Sequence, residues 1–429
     1  MKTETEKVLS SALDGMLVVE AGDERGEFAG LLLASLGAEV LKLEGRRGSN
    51  SRRLGPFTTP QPDPEHSLCF QRYNLGKKSL SLEVERPAAR RVLERLANRA
   101  DVVLDSGEAG DLARRIGFYR ELQAAHPRLI VCTITPFGLD GPYRDLKMTD
   151  LTQLAMGGVM ASCGYDPNTD GVYDTPPIAP GMWQAYHIAC EYAVIALLAA
   201  LNFRELTGEG DFIDLSIHEA VSTCTEVAIP TYVYSGKVVL RQTGRHAAES
   251  PTRPWLRRTK DGRYVKAFLF WGGRERQVIA EMLNEAGIEH DLDSAAYRQL
   301  AEHSPSAAQA HLSALIDKLV ASLTAEEVFH RAQAKGLLWA SVRCPEENLN
   351  DPHFQARGTF QAIHHAELNR ALLYPASVAT DGCNPVTGFE RGAPRLGEHT
   401  REVLLRLGFS SAEVDALIME LAGNNEWPH

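Results

Sequence analysis

The first 150 residues repeat one pattern, a short β-rich run followed by a helical run, and this alternation restricts the chain to a parallel sheet with helices on its faces. Leu17–Glu20 reads as a strand, Phe28–Leu36 as a helix closed by Gly37, and Glu39–Glu44 as a second strand. Ser79–Val84, Pro87–Ala100 and Asp101–Asp105 repeat the unit, with proline in the first helical turn. A helical Tyr119–Ala125 leads through Pro127 to a further strand, Leu129–Thr135. Units of this size predict a doubly wound, Rossmann-like sheet.

A longer apolar stretch follows, YHIACEYAVIALLAALNFRELTGEGDFIDLS from Tyr186 to Ser216. Ala193–Leu201 is apolar on every face, which predicts a helix buried all round. It ends at Thr207-Gly208, and Phe212–Ile217 alternates as a half-buried strand does. The polar stretch at 223–262, rich in Arg and Pro, reads as a linker or a long functional loop. Residues 263–335 read as a smaller α+β domain: a strand at Arg263–Phe270, helices at Glu275–Glu285 and Ser306–Leu323, and a capping box of Thr324 with Glu327. From 336 to 429 the pattern is irregular until a helical tail near Ala412–Leu421.

At 429 residues the chain is too long for one simple core, so two domains, or one with an inserted lobe, are expected. A formal net charge of −11 argues against a nucleic-acid surface. Cysteines 69, 132, 163, 190, 224, 344 and 383 form no CxxC pair and read as reduced thiols of a cytosolic protein. The fourteen histidines fall at no metal-ligand spacing, so no metal is expected. The longest apolar run, Tyr192–Leu201, is about half of what a bilayer needs, and MKTETEKVL has no hydrophobic signal core. The expectation is a cytoplasmic protein that engages neither membrane nor nucleic acid. One glycine-rich loop, Gly22–Gly30, follows a strand and precedes a helix, as a nucleotide loop would. Its spacing is not GxGxxG, and Asp23, Glu24 and Glu27 would set negative charge against a pyrophosphate.

Seven segments, in order along nearly the whole chain, resemble the family III CoA-transferases, the group of formyl-CoA transferase and the carnitine CoA-transferase. They are SLGAEVLKLE (35–44), NLGKKSLSL (74–82), PFGLDGPY (136–143), MTDLTQLAMGG (148–158), LTGEGDFIDLSIHEA (206–220), NDPHFQARGTF (350–360) and APRLGEHTREVLLRLG (393–408). The resemblance implies a Rossmann-like large domain made from both chain ends, completed by 336–429, and a smaller α+β domain between. It also implies an interlocked dimer of ring-like protomers. The implied reaction moves CoA from an acyl-CoA to a free carboxylic acid, with coenzyme A as the carrier. A carboxylate on the enzyme is required, because the nucleophile must itself carry CoA as a thioester.

The same resemblance places that aspartate near the start of the long helix, and counting back from Thr207 reaches Tyr186. An unperturbed tyrosine is about a thousandfold too little ionised near neutral pH to replace it. Asp174 and Glu191 are the nearest acids and the fallback candidates. Lys77, Arg115, Asn74 and Arg46 match positions that hold CoA, the basic ones its phosphates. The family's histidine before Asp150 is Thr149 here, which disfavours racemase chemistry, and its glycine-rich flap is not evident between 240 and 275. One reading is a non-catalytic subunit whose homologous partner supplies the aspartate in a heterodimer or heterotetramer. The two-subunit benzylsuccinate CoA-transferases are built this way, and on that likeness the donor is succinyl-CoA and the acceptor (R)-benzylsuccinate. Other readings are a self-sufficient homodimer using Asp174 or Glu191, and a structural paralogue with no CoA site.

Overall fold

The structure, a computed structural model, describes residues 11–83, 86–107, 109–225, 227–268, 273–365, 370–375, 389 and 391–422. Strands β1 (Leu17–Ala21), β2 (Glu39–Glu44), β3 (Lys78–Ser81), β4 (Val102–Asp105), β5 (Ile130–Thr135) and β6 (Phe212–Ser216) make one sheet. Its order is β3-β2-β1-β4-β5-β6 with every pair parallel. This is the doubly wound order, and it reverses between β1 and β4, where such sheets open a crevice for ligands at the carboxyl ends of their strands.

Both faces of the sheet are covered, and its central strands β4 (VVLD) and β5 (IVCTIT) are buried along their whole length. Val19, Leu41, Leu80, Val103 and Val131 pack on one side against Val92 and Leu96 of the helix Pro87–Ala97. Val18, Val40, Val102, Leu104 and Ile130 pack on the other against Leu33, Ala189 and Leu197. The free edge of β3 is closed by the chain's last signature. His399 donates its backbone N–H to the Ser79 carbonyl at 3.0 Å, and the Thr400 hydroxyl accepts the Ser81 N–H at 3.0 Å. An edge strand protected in this way offers no template for pairing with another chain. The motif is thus a structural clasp between residues more than 300 positions apart.

The long helix spans Gln184–Thr207 and ends at Gly208, whose φ of 84° is the left-handed stop that glycine supplies. At Gly210 a Cβ would sit 2.2 Å from the Leu129 carbonyl oxygen, so only glycine allows the chain to turn into β6 there. Burial all round does not hold for this helix. Ala193, Val194, Leu197, Ala200 and Leu201 are buried, whereas Tyr192, Ile195, Leu198, Phe203 and Leu206 are exposed, Leu206 by 78%. Its apolar residues fall into an inner stripe on the sheet and an outer stripe open to solvent. Long enough to cross a bilayer by length and composition, the helix is here the core element covering one face of the sheet.

Two compact units divide the chain: 1–160 with 179–226 and 352–429, and 161–178 with 227–351. Most of the stretch read as a linker therefore lies in the second unit. That unit holds an antiparallel sheet of β7 (Leu256–Arg258), β8 (Tyr264–Ala267) and β9 (Trp339–Ser341). Four helices flank it, Gly273–Glu285, Ala295–His303, Pro305–Ser322 and Ala325–Ala334, the last opened by the Thr324–Glu327 capping box. Val265, Ile316, Leu319 and Trp339 are among its fully buried residues. Residues 161–178 join it through Arg241, which lies over the Tyr173 ring at 3.9 Å.

Elsewhere the sequence undercounts structure. The helix read from Tyr119 starts at Ala109, and the stretch beyond 336 contains a hairpin of β10 (Phe360–His365) and β11 (Arg370–Pro375). The ends of two strands read at Ser79–Val84 and Arg263–Phe270, with Glu108, Cys383 and the first ten residues, lie outside the described residues.

Candidate active site

The loops at the carboxyl ends of the strands meet in a cavity of about 590 Å³, a size suited to a small-molecule site. Asp23, Glu24 and Arg25 enter it from the loop after β1, Asn50 and Arg53 from the turn after β2. Lys147, Thr149 and Thr152 come from the loop and helix start after β5, and Tyr186 from the first turn of the long helix. The β1 loop rests on the β4 loop, where the Ser106 hydroxyl accepts the Asp23 N–H at 3.2 Å. The cavity therefore sits where the strand order reverses.

Tyr186 is held rigidly. Its backbone N–H donates to Asp150 Oδ1 at 3.1 Å, so Asp150 caps the long helix, which has no side-chain cap of its own. Burial raises the Asp150 carboxyl above its ordinary range, and the N–H groups of Tyr186 and Ala185 oppose that shift. Asp150 is thus a helix-terminus acceptor. The Tyr186 side chain is buried, and burial, then the Glu24 carboxylate, push its phenol well above the ordinary tyrosine value. A phenol kept protonated in this way is no nucleophile.

Trp183 does not occupy the cavity wall. It stacks on Tyr73 at 5.1 Å, in a cluster with Phe28 and His187. His187 Nε2 meets the Tyr73 hydroxyl at 2.8 Å, and burial, helped by Arg72, holds its imidazole down at about 4. It is a packed, neutral histidine at ordinary pH.

Neither fallback acid is among the residues lining this cavity. Glu191 is exposed on the long helix, and Asp174 is exposed in the second unit. Among the described residues the cavity's carboxylates are Asp23 and Glu24. Asp23 Oδ1 takes the Arg25 Nε at 2.9 Å and its Oδ2 takes Arg25 Nη2. Glu24 is half-buried; Oε1 accepts from Asn50 Nδ2 at 3.0 Å, while Oε2 is buried and takes no hydrogen bond. Burial and the neighbouring Asp23 carboxylate raise the Glu24 carboxyl above its usual range. Glu24 escapes a sequence reading that weighs its loop as a pyrophosphate cradle, for which acids are wrong. The available signal was an acid two positions before Gly26, in the loop at the sheet's reversal.

Three of the four positions matched to CoA are built into the fold. Lys77 is fully buried, with Nζ 2.7 Å from Glu20 Oε2, 2.9 Å from the Glu27 carbonyl and 3.0 Å from Asn74 Oδ1. Asn74 is likewise buried, and its Nδ2 donates to the Phe70 carbonyl at 3.1 Å. Lys42 completes the network, 2.9 Å from Glu20 Oε1 and from Glu27 Oε1. Burial alone would raise the Glu27 carboxyl, but Lys42 and Lys77 outweigh it and hold it at about 2. Arg115 grips Asp105 with Nε and Nη2, at 2.8 and 3.0 Å, and so fixes the loop after β4. Arg46 is half-buried, its backbone N–H donated to Glu83 Oε1 at 2.8 Å. A second cavity, about 370 Å³, is lined by Lys77 together with Gln71, His365, Arg391, Arg395 and His399 among others. Among the described residues, no group of three or more His, Cys, Asp or Glu is arranged to hold a metal.

Fold and cavity together define a doubly wound α/β protein with an acid-lined cavity at the switch point of its sheet. The profile of CoA-transferase family III matches residues 13–400, and the chain belongs to that family. It is 28% identical over 406 residues to the BbsE subunit of succinyl-CoA:(R)-benzylsuccinate CoA-transferase from Thauera aromatica, covering 94% of this chain and 95% of the relative. It is 29% identical to the β subunit of succinyl-CoA–L-malate CoA-transferase from Chloroflexus aurantiacus, covering 94% of this chain and 96% of that one. Among solved structures, a CaiB/BaiF family protein from Brucella suis superposes with a TM-score of 0.74 at 25% identity, over 93% of this chain and all of that one.

Proposed function

We propose that this chain is a subunit of a CoA-transferase that moves CoA from succinyl-CoA to a carboxylic acid, and that the aspartate carrying the main turnover belongs to a homologous subunit. The observation that carries this reading is Tyr186. It stands where the family resemblance places the carboxylate, it is buried, and its phenol is kept protonated. Two of the relatives are themselves named as subunits, which supports a heteromeric assembly. The outer apolar stripe of the long helix, with Ile195 65% and Leu206 78% exposed, supports a covering partner. The interlocked, ring-like pairing of protomers belongs to this proposal.

The acceptors named for the two relatives are dicarboxylic acids, and (R)-benzylsuccinate is the acceptor we put first. Arg53 and Lys147 give the cavity cations suited to an acceptor's second carboxylate. Arg46 is the CoA phosphate contact in this proposal, while Lys77, Asn74 and Arg115 support the loops from within. No observation favours a homodimer working through Asp174 or Glu191. A structural paralogue without a CoA site is excluded if calorimetric titration of the full chain with CoA gives a saturable heat. The decisive experiment is purification of the chain from its source followed by transferase assay. Co-elution with a homologous subunit, and transfer at the full rate only when both are present, is expected; full activity from a stable homodimer overturns the reading.

A further inference from the structure

The partner reading leaves this chain's own cavity without a nucleophile at the start of the long helix, yet that cavity contains a carboxylate. We infer that Glu24 acts as a nucleophile in this chain's own site, giving the assembly a second, slower centre of CoA transfer. The geometry selects it among the local acids. Asp23 has both oxygens on Arg25, and Asp150 is committed to the end of the long helix. Glu24 lines the same cavity as Tyr186, its Oε1 accepts from Asn50, and its buried Oε2 takes no hydrogen bond. It enters the cavity from the β1 loop, whereas Tyr186 enters from the first turn of the long helix. Burial and the Asp23 carboxylate raise the Glu24 carboxyl, which disfavours its ionised form and makes that form, where present, the more basic nucleophile.

The chemistry balances with succinyl-CoA and an acceptor acid alone. A Glu24 oxygen attacks the thioester carbonyl, a C–O bond forms, the C–S bond breaks, and CoA leaves as the thiolate. The thiolate then attacks the glutamyl carbonyl of the mixed anhydride, releasing succinate and leaving a glutamyl-CoA thioester. The acceptor carboxylate attacks that thioester, and the thiolate, freed again, takes the acceptor's acyl carbon and restores the Glu24 carboxylate. No net proton is consumed. Lys147, Arg53 and the Thr149 hydroxyl line the cavity as donors for the oxyanion of each addition.

The test is made on the full chain without a partner. After incubation with succinyl-CoA, hydroxylamine converts an acyl-activated carboxylate to a hydroxamate, which peptide mass spectrometry locates. The expected result is succinyl-CoA-dependent hydroxamate at Glu24, lost in Glu24→Gln and reduced but present in Glu24→Asp, with both variants melting as the parent does. A Glu24→Asp variant that retains label keeps the test valid should Glu24→Gln fail to fold. Unmodified Glu24 in the parent chain, or label on Asp174 or Glu191 instead, overturns the inference. This inference stands apart from the partner reading. An unlabelled Glu24 beside an assembly active through its partner's aspartate sinks only the inference, whereas a labelled Glu24 in a fully active lone chain sinks only the partner requirement.

Discussion

Replacing Lys77 by alanine separates a structural cation from a ligand-binding one. The side chain is fully buried, and its removal takes one hydrogen bond each from Glu20 Oε2, Asn74 Oδ1 and the Glu27 carbonyl. Glu20 keeps Lys42 at 2.9 Å, but two carboxylates, Glu20 and Glu27, then share that single buried ammonium. Breaking a buried pair from one side costs about 3–5 kcal/mol, because it strands an uncompensated charge. At roughly 1 °C per kcal/mol for a chain of this length, Tm falls by about 3–5 °C. The assays are thermal denaturation followed by circular dichroism, and calorimetric titration with CoA at a temperature where the variant is folded. The account expects a large loss of stability and CoA affinity changed by less than about threefold, under 1 kcal/mol. An unchanged Tm with CoA affinity lost would show that Lys77 serves CoA, and the reasoning from burial would be wrong.

The same network sets an acid limit. Glu27 has a folded value of about 2 against an ordinary 4.5, so it stabilises the fold fully above pH 4.5 and loses that contribution as pH falls toward 2. The contribution is roughly 3 kcal/mol, and urea midpoints measured from pH 6 to about 2 should fall over this window; a flat profile below 4.5 refutes it. On the outer stripe of the long helix, Ile195→Glu should leave the Tm of the isolated chain within about 1 °C, since the residue is 65% exposed. It should also weaken assembly with a partner by about tenfold or more in sedimentation equilibrium, and undiminished assembly would remove that face from the interface.

Much of the fold is legible in the chain because doubly wound sheets announce themselves locally. β2 begins and ends where its alternation does, and Thr324 with Glu327 marks a helix start that the structure reproduces. What escapes depends on contacts between residues distant in sequence. Lys77 looks like any basic residue of a ligand loop until Glu20, 57 positions earlier, is brought to its ammonium. The clasp of 397–400 on β3 reads as irregular chain for the same reason, since its hydrogen bonds return to Ser79 and Ser81. The apolar surround of Ala193–Leu201 predicts burial correctly for one stripe only, because periodicity records what is apolar and not which chain covers it. At the site, Tyr186 was readable by counting from Thr207, whereas Glu24 required the sheet order. Only the adjacency of β1 to β4, and the loops above them, places that acid and the helix start around one cavity.

The most direct test of the central claim is isotope exchange of labelled succinate into succinyl-CoA, measured on this chain alone, with its homologous subunit, and with that subunit's aspartate changed to asparagine. The account predicts slow exchange by the lone chain, abolished by Glu24→Gln, and a rise of about 100-fold or more on adding the partner that the asparagine variant fails to give. Exchange by the lone chain at the rate of the full assembly, or an assembly that exchanges no succinate at all, would contradict it.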